Sequence, residues 1–196
     1  MSNILQELMS QFGDQELEAV GNKAGIDKSQ AANALQGIMP TLLGAMASNT
    51  QNESGANSFL SALDRDHDGS ILDDVAGFIT KSDDEPGAGI LGHLLGGNRG
   101  AVENKISQQS GISTGAVGKL LEIAAPMVMG YLGKQKQSSS GFDAGAIGGL
   151  LSGLAGSADK DSSFDLTDVF GMLGGNTNQK GDVGGIAGKI LGNLFK

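Results

Sequence analysis

Three carboxylates at alternating positions, Asp64, Asp66 and Asp68, followed at once by Gly69 and two residues later by Ile71, are the residues of this chain best suited to chemistry. Aspartates at positions 1, 3 and 5 of a loop surround one centre with anionic oxygen, the donor that hard cations prefer. Glycine at position 6 permits a sharp turn, Ser70 at position 7 offers its backbone carbonyl, and Ile71 at position 8 anchors the loop on a core. The expected metal ligands are Asp64, Asp66, Asp68, Ser70, Asp73 and Asp74. The expected ion is Ca²⁺, with Mg²⁺ as the alternative for an all-aspartate set. Position 12, where a bidentate glutamate usually closes such a site, is Val75, so closure falls to Asp74 in a shortened loop. The competing structural reading is a solvated acidic turn that caps a helix.

The string over residues 64–75, from Asp64 through Gly69 and Ile71 to Val75, resembles the calcium loop of EF-hand and dockerin modules. A second acidic loop over residues 159–168 is its degraded relative: glycine is missing from position 6 and Ser163 stands where the third aspartate would be. A capping turn, with Asp165 or Thr167 as the cap, is the expectation there. The two histidines add nothing catalytic. His67 sits at a loop position that faces solvent, and His93 lies on a short helix with no acid near it in sequence. With no cysteine, no nucleophile–base pair, no phosphate loop and no histidine cluster, the chain does not read as an enzyme. Metal-dependent hydrolysis at the aspartate loop is the remaining enzymatic alternative. It is disfavoured because a cation saturated by protein oxygens keeps no open position for a substrate.

The elements that must position this loop are helices, and they repeat. Residues 4–49 align without a gap on residues 90–135, an offset of 86. Ile4, Leu5 and Leu8 meet Ile90, Leu91 and Leu94; Gly25 and Ile26 meet Gly111 and Ile112; Leu35, Pro40 and Gly44 meet Leu121, Pro126 and Gly130. Each copy reads as a short amphipathic helix, a second helix stopped by glycine, and a long apolar helix. Asp27 with Gln30 forms a capping-box pattern at the start of the first long helix, and Ser113 takes the cap position in the second. Pro40 and Pro126 either kink these helices or begin new ones. After each copy comes a related segment, Leu60–Asp64 against Leu151–Leu154 and Asp159, then an acidic loop and a short apolar helix over 75–79 or 169–173. The expectation is an all-α chain of two sequence-related helical units, 1–85 and 86–180, joined by acidic loops. Gly-rich C-terminal helices and an amphipathic segment over 181–196 complete it. Ile190, Leu191 and Leu194 in that last segment repeat the opening of the units for a third time. Residues 48–55, 134–141 and 174–185 read as polar or Gly-rich linkers.

Composition bounds the partners. The net charge is −9, which repels phosphate backbones and anionic membrane surfaces, and the helix–turn–helix look of residues 111–121 has almost no basic residue beyond Lys119. No nucleic acid is therefore expected. The N-terminus lacks a basic region followed by an apolar one, and no apolar stretch reaches the roughly 18 residues of a span. Residues 120–133 come nearest and contain Glu122. A cytoplasmic protein without a membrane span is the expectation. Glycine makes up 33 of 196 residues, and the small-residue spacing over 145–154 suits close helix packing within the chain or between copies.

The segment Gly111-Ile112, Val117, Leu120-Leu121, with Ala125-Pro126-Met127 and Met129-Gly130-Tyr131-Leu132-Gly133 after it, is similar to a bacterial family known as domain of unknown function 937. The resemblance extends over the Leu63–Val75 string and covers roughly residues 1–140. It implies a helical bacterial protein and brings no activity. The function expected is that of a non-enzymatic structural or interaction protein with a calcium-stabilised helical fold. Self-association into a homo-oligomer, as a ring or an open filament, is expected with it. A cation-responsive regulator is the alternative.

Overall fold

The computed structural model describes residues 12–66, 69–81 and 85–138, with positions 10 and 145 besides. Among these residues every regular element is helical, as expected of an all-α chain. Helix α1 spans Asp14–Ala24, with Asp14 and Glu16 in its first turn and Lys23 in its last, each facing the favourable end of the helix dipole. Gly25 stops it at φ 73°, in the left-handed region open to glycine, and the Ile26 N–H donates back to the Gly21 carbonyl at 2.9 Å.

Helix α2, Lys28–Asn49, starts from the expected capping box. The Gln30 N–H donates to the Asp27 carboxylate at 2.8 Å, and the Asp27 N–H donates to the Gln30 side chain at 3.1 Å. Helix α3 spans Glu53–Asp66, a 3₁₀ turn covers Ser70–Leu72, and α4 spans Val75–Lys81. Helix α5, Glu85–Leu95, passes through a second 3₁₀ turn, Gly96–Asn98, into α6, Arg99–Ser110. The last described helix, α7, spans Thr114–Ser138. At its start the Ala116 N–H donates to the Ser113 hydroxyl at 3.2 Å, as the capping pattern requires.

Order and punctuation recur at the offset of 86. Gly111 stops α6 at φ 72°, as Gly25 stops α1, and Pro40 and Pro126 both lie inside unbroken helices. A proline interior to a helix costs about 3 kcal/mol, so both must be offset by packing. Both are buried in the centre of the molecule. There α2 and α7 lie against each other; α1, α3, α5 and α6 pack on α7, and α4 packs on α1. A single apolar cluster runs from Phe12 and Val20 through Leu35, Ile38 and Leu42 to Leu120, Leu121 and Leu132, so the described helices before and after residue 85 share one core. Gly87 of α5 brings backbone against backbone at Glu122 of α7, where a Cβ would have no room.

Two expected linkers are helical instead. Helix α2 runs to Asn49 and α3 begins at Glu53, leaving three residues between them. Helix α7 continues through Lys134, Gln135 and Lys136 to Ser138. Lysine and glutamine are good helix formers, and the apolar helix before them supplies a nucleus to extend. The helix is also longer and more apolar than residues 120–133 alone suggested: by length and composition Thr114–Ser138 could cross a membrane, but 83% of its most apolar stretch is buried inside the protein. The short helix expected over 4–12, the loop over 159–168 and all later elements lie outside the described residues, apart from Ser10 and Phe12.

Candidate metal loop and its lysine contacts

The acidic string begins inside α3. Asp64 stands in the last turn of that helix and Asp66 is its final residue. His67 and Asp68 lie outside the described residues, as does the side chain of Asp66. Gly69 has φ 92°, a conformation that glycine adopts without strain. Gly69 is also pressed against α7: a Cβ there would stand 2.9 Å from the Lys134 Cβ and 3.2 Å from the Gly130 carbonyl oxygen. Two residues on, the Ile71 side chain sits over Gly130, in the space a Cβ on that residue would need. Positions 6 and 8 of the loop therefore perform the turning and anchoring expected of them, and the anchor is α7.

Beyond the anchor the chain makes the 3₁₀ turn. The Leu72 N–H donates to the Gly69 carbonyl and the Asp73 N–H to the Ser70 carbonyl, each at 3.0 Å. Asp74 then caps α4, accepting the Gly77 N–H on its side chain at 2.8 Å. The capping reading thus holds for Asp74, whose other carboxylate oxygen remains available. Asp64 accepts from the Lys136 ammonium at 2.5 Å, and Lys136 also lies 3.5 Å from the Leu60 carbonyl, so one lysine of α7 ties down the end of α3. Asp73 faces Lys134, two residues before Lys136 on the same helix, at 3.8 Å. Both carboxylates are largely exposed, and such pairs are worth about 0–1 kcal/mol each.

Of the six expected ligands, Asp64 and Asp73 each pair with a lysine of α7, Asp74 caps α4, and Ser70 begins the 3₁₀ turn between them. Among the described residues no cluster of three acidic or histidine side chains closes around a point. The donor set fits a hard cation on one condition. Successive helical positions are about 100° apart, so loop positions 1 and 3 converge on an ion only when the last turn of α3 opens.

Lys134 and Lys136 were invisible as site residues while their segment read as a linker; their signal was that lysine and glutamine extend a preceding helix. A second charged group was also missed. The Arg99 guanidinium donates to Glu103 at 2.7 Å and to Glu122 at 2.6 Å. These hydrogen bonds hold Arg99 above its already high usual pKa, with Glu103 the larger cause. Glu122, the one acid in the apolar stretch of α7, is thereby paired where α5, α6 and α7 meet. His93 is exposed on α5, and Lys119 reaches the Lys23 carbonyl at 3.4 Å, a packing contact between α7 and α1.

Compared with known proteins, residues 6–135 match a family model described as "Bacterial protein of unknown function (DUF937)". No curated protein matches the chain, and no solved structure does.

Proposed function

The chain belongs to this bacterial family of unknown function, and with no activity inherited from it we propose, from the chain's own residues, a non-enzymatic structural or interaction protein. Its helical fold is stabilised by calcium at the loop over residues 64–75, and it self-associates. One observation carries the cation reading: Gly69 turns and Ile71 anchors the acidic string on α7 so that Asp64 and Asp73 each face an ammonium group. A position held by ammonium nitrogen is one where positive charge is already favourable. The ligands in this reading are Asp64, Asp66, Asp68, the Ser70 carbonyl, Asp73 and the free oxygen of Asp74, and the ion would supply charge neutralisation and cross-linking of α3 to α4.

The lysine contacts favour a second reading beside the first, a cation-responsive regulator. An ion entering the loop competes with Lys134 and Lys136, so its binding releases the last turns of α7. The test for both is a thermal melt of the full chain in chelator, in Ca²⁺ and in Mg²⁺, with calorimetric titration. A folded-state ligand at a hundredfold excess over its dissociation constant adds about 2.7 kcal/mol. The expected result is a rise in melting temperature with Ca²⁺ that the Asp64→Asn, Asp66→Asn double variant loses. Melting curves identical in chelator and in millimolar Ca²⁺ would end the cation reading. Self-association is read independently by light scattering.

A further inference from the structure

A cleft of about 600 Å³ opens on the side of the molecule where α2 ends, α3 begins and α5 passes into its 3₁₀ turn. From its lining we infer a binding site for a neutral, polyhydroxylated ligand of saccharide or polyol type. The volume lies within the range of small-molecule sites, roughly 300–1,000 Å³. In a chain with 18% charged residues, no charged side chain among the described residues lines this cleft. The lining instead carries hydroxyls (Ser54, Ser58), amides (Asn52, Asn98), the His93 imidazole and the backbone of Gly96 and Gly97.

Elimination sets the ligand class. Among the described lining residues a charged ligand would find no counter-ion, and the carbonyl ends of α2 and α5 are offset by the N–H ends of α3 and α6, so the helix dipoles at the cleft favour neither sign. An apolar ligand would strip water from the hydroxyls and amides without replacing their hydrogen bonds, at a cost of order 1–3 kcal/mol for each. A neutral molecule with several hydroxyls both gives and accepts, as serine hydroxyls, asparagine amides and imidazole do.

The frame of the cleft is fixed. The Asn49 amide bridges the Ala45 carbonyl at 2.8 Å and the Leu94 carbonyl at 3.1 Å, joining α2 to α5. Asn52 accepts the Gly55 N–H at 2.8 Å and so sets the start of α3. Ser54 and Ser58 are one turn apart on the same face of α3, which presents their hydroxyls together. Among the described residues neither serine, nor His93, forms a side-chain hydrogen bond with the protein. Space lies open over Gly96 and Gly97, where a Cβ would touch nothing within 4 Å, so a sugar ring can approach the backbone.

The test is a titration of ¹⁵N-labelled full-length protein with the neutral disaccharide trehalose, beside glucose 6-phosphate as a charged counterpart. The expected result is a set of amide shifts confined to residues 52–58 and 93–98, saturating with a dissociation constant on the order of 1–10 mM. The Ser58→Leu variant, altered at an exposed position, should melt as the parent does and bind trehalose at least tenfold more weakly. Asn98→Leu provides a second variant with the same expectation. Absence of shifts at saturating trehalose, shifts spread over other faces, or equal binding of the phosphorylated sugar would each overturn the inference.

Discussion

At the residue scale, the glycine of the acidic loop is the position least open to change. Gly69 combines a left-handed backbone with contact against Lys134 and Gly130. A Gly69→Ala variant is expected to lose about 1–3 kcal/mol, since an alanine there meets both conformational strain and crowding. Equilibrium urea unfolding measures this, and a loss below roughly 0.5 kcal/mol would show that the turn relaxes freely. Asp27 gives a prediction in pH. Its carboxyl is held below the ordinary value of 3.8 by hydrogen bonds from the Ser29 hydroxyl and the Gln30 N–H. A group whose pKa is lower in the folded state stabilises the fold above its unfolded value, and that contribution fades as pH falls through the folded one. The Asp27→Asn variant keeps a cap that accepts a hydrogen bond and removes the titrating proton. Its melting temperature should therefore fall less steeply than the parent's between about pH 5 and pH 2; parallel slopes would contradict the assignment. Both positions were legible in sequence, because a capping box and a glycine after three alternating aspartates are local patterns whose physics involves only near neighbours. The Arg99 contact with Glu122 was not legible, since that partner lies 23 residues away across a helix crossing.

At the element scale, α5 crosses α7 with Gly87 against the Glu122 backbone. Enlarging that glycine forces the helices apart, so Gly87→Ala should destabilise by roughly 1–3 kcal/mol. Gly89, on the exposed side of the same helix, has nothing within 4 Å of its Cβ position, and Gly89→Ala should be neutral or slightly stabilising through better helix propensity. If the two variants unfold alike, the close crossing is not what fixes α5. Helix existence and starts were readable from the capping residues and the apolar spacing, while helix ends were less so. Residues 134–138 looked like linker because polarity was taken for disorder, yet a helix seeded by a buried apolar stretch continues outward as long as its residues are good helix formers. The prolines were ambiguous for a related reason: only burial on all sides can offset the cost of Pro40 and Pro126, and burial is a tertiary property.

At the scale of the whole molecule, sequence similarity divides the described chain at about residue 85, but packing does not. Helices α2 and α7, one from each side of that division, meet in a single apolar cluster. Chemical unfolding should accordingly show one transition, with circular dichroism and Tyr131 fluorescence coinciding; two separated transitions would mean the repeats are independent. The helix stops at Gly25 and Gly111 could be read from the sequence, because punctuation is local, whereas the sharing of a core between distant helices leaves no mark at any one position.

The place of α7 in the chain order also bears on how the protein is made. It is the helix on which α1, α2, α3, α5 and α6 all pack, and it is the last of them to be synthesised. At roughly 5–20 residues per second, the ribosome completes α7 on the order of 5–20 s after α2. During that interval Leu35, Ile38, Leu42 and Met46 have emerged without the surface that will cover them. Productive folding must wait for the end of α7, and the nascent chain passes through a period in which the apolar residues of α2 are open to chaperones and to other nascent copies.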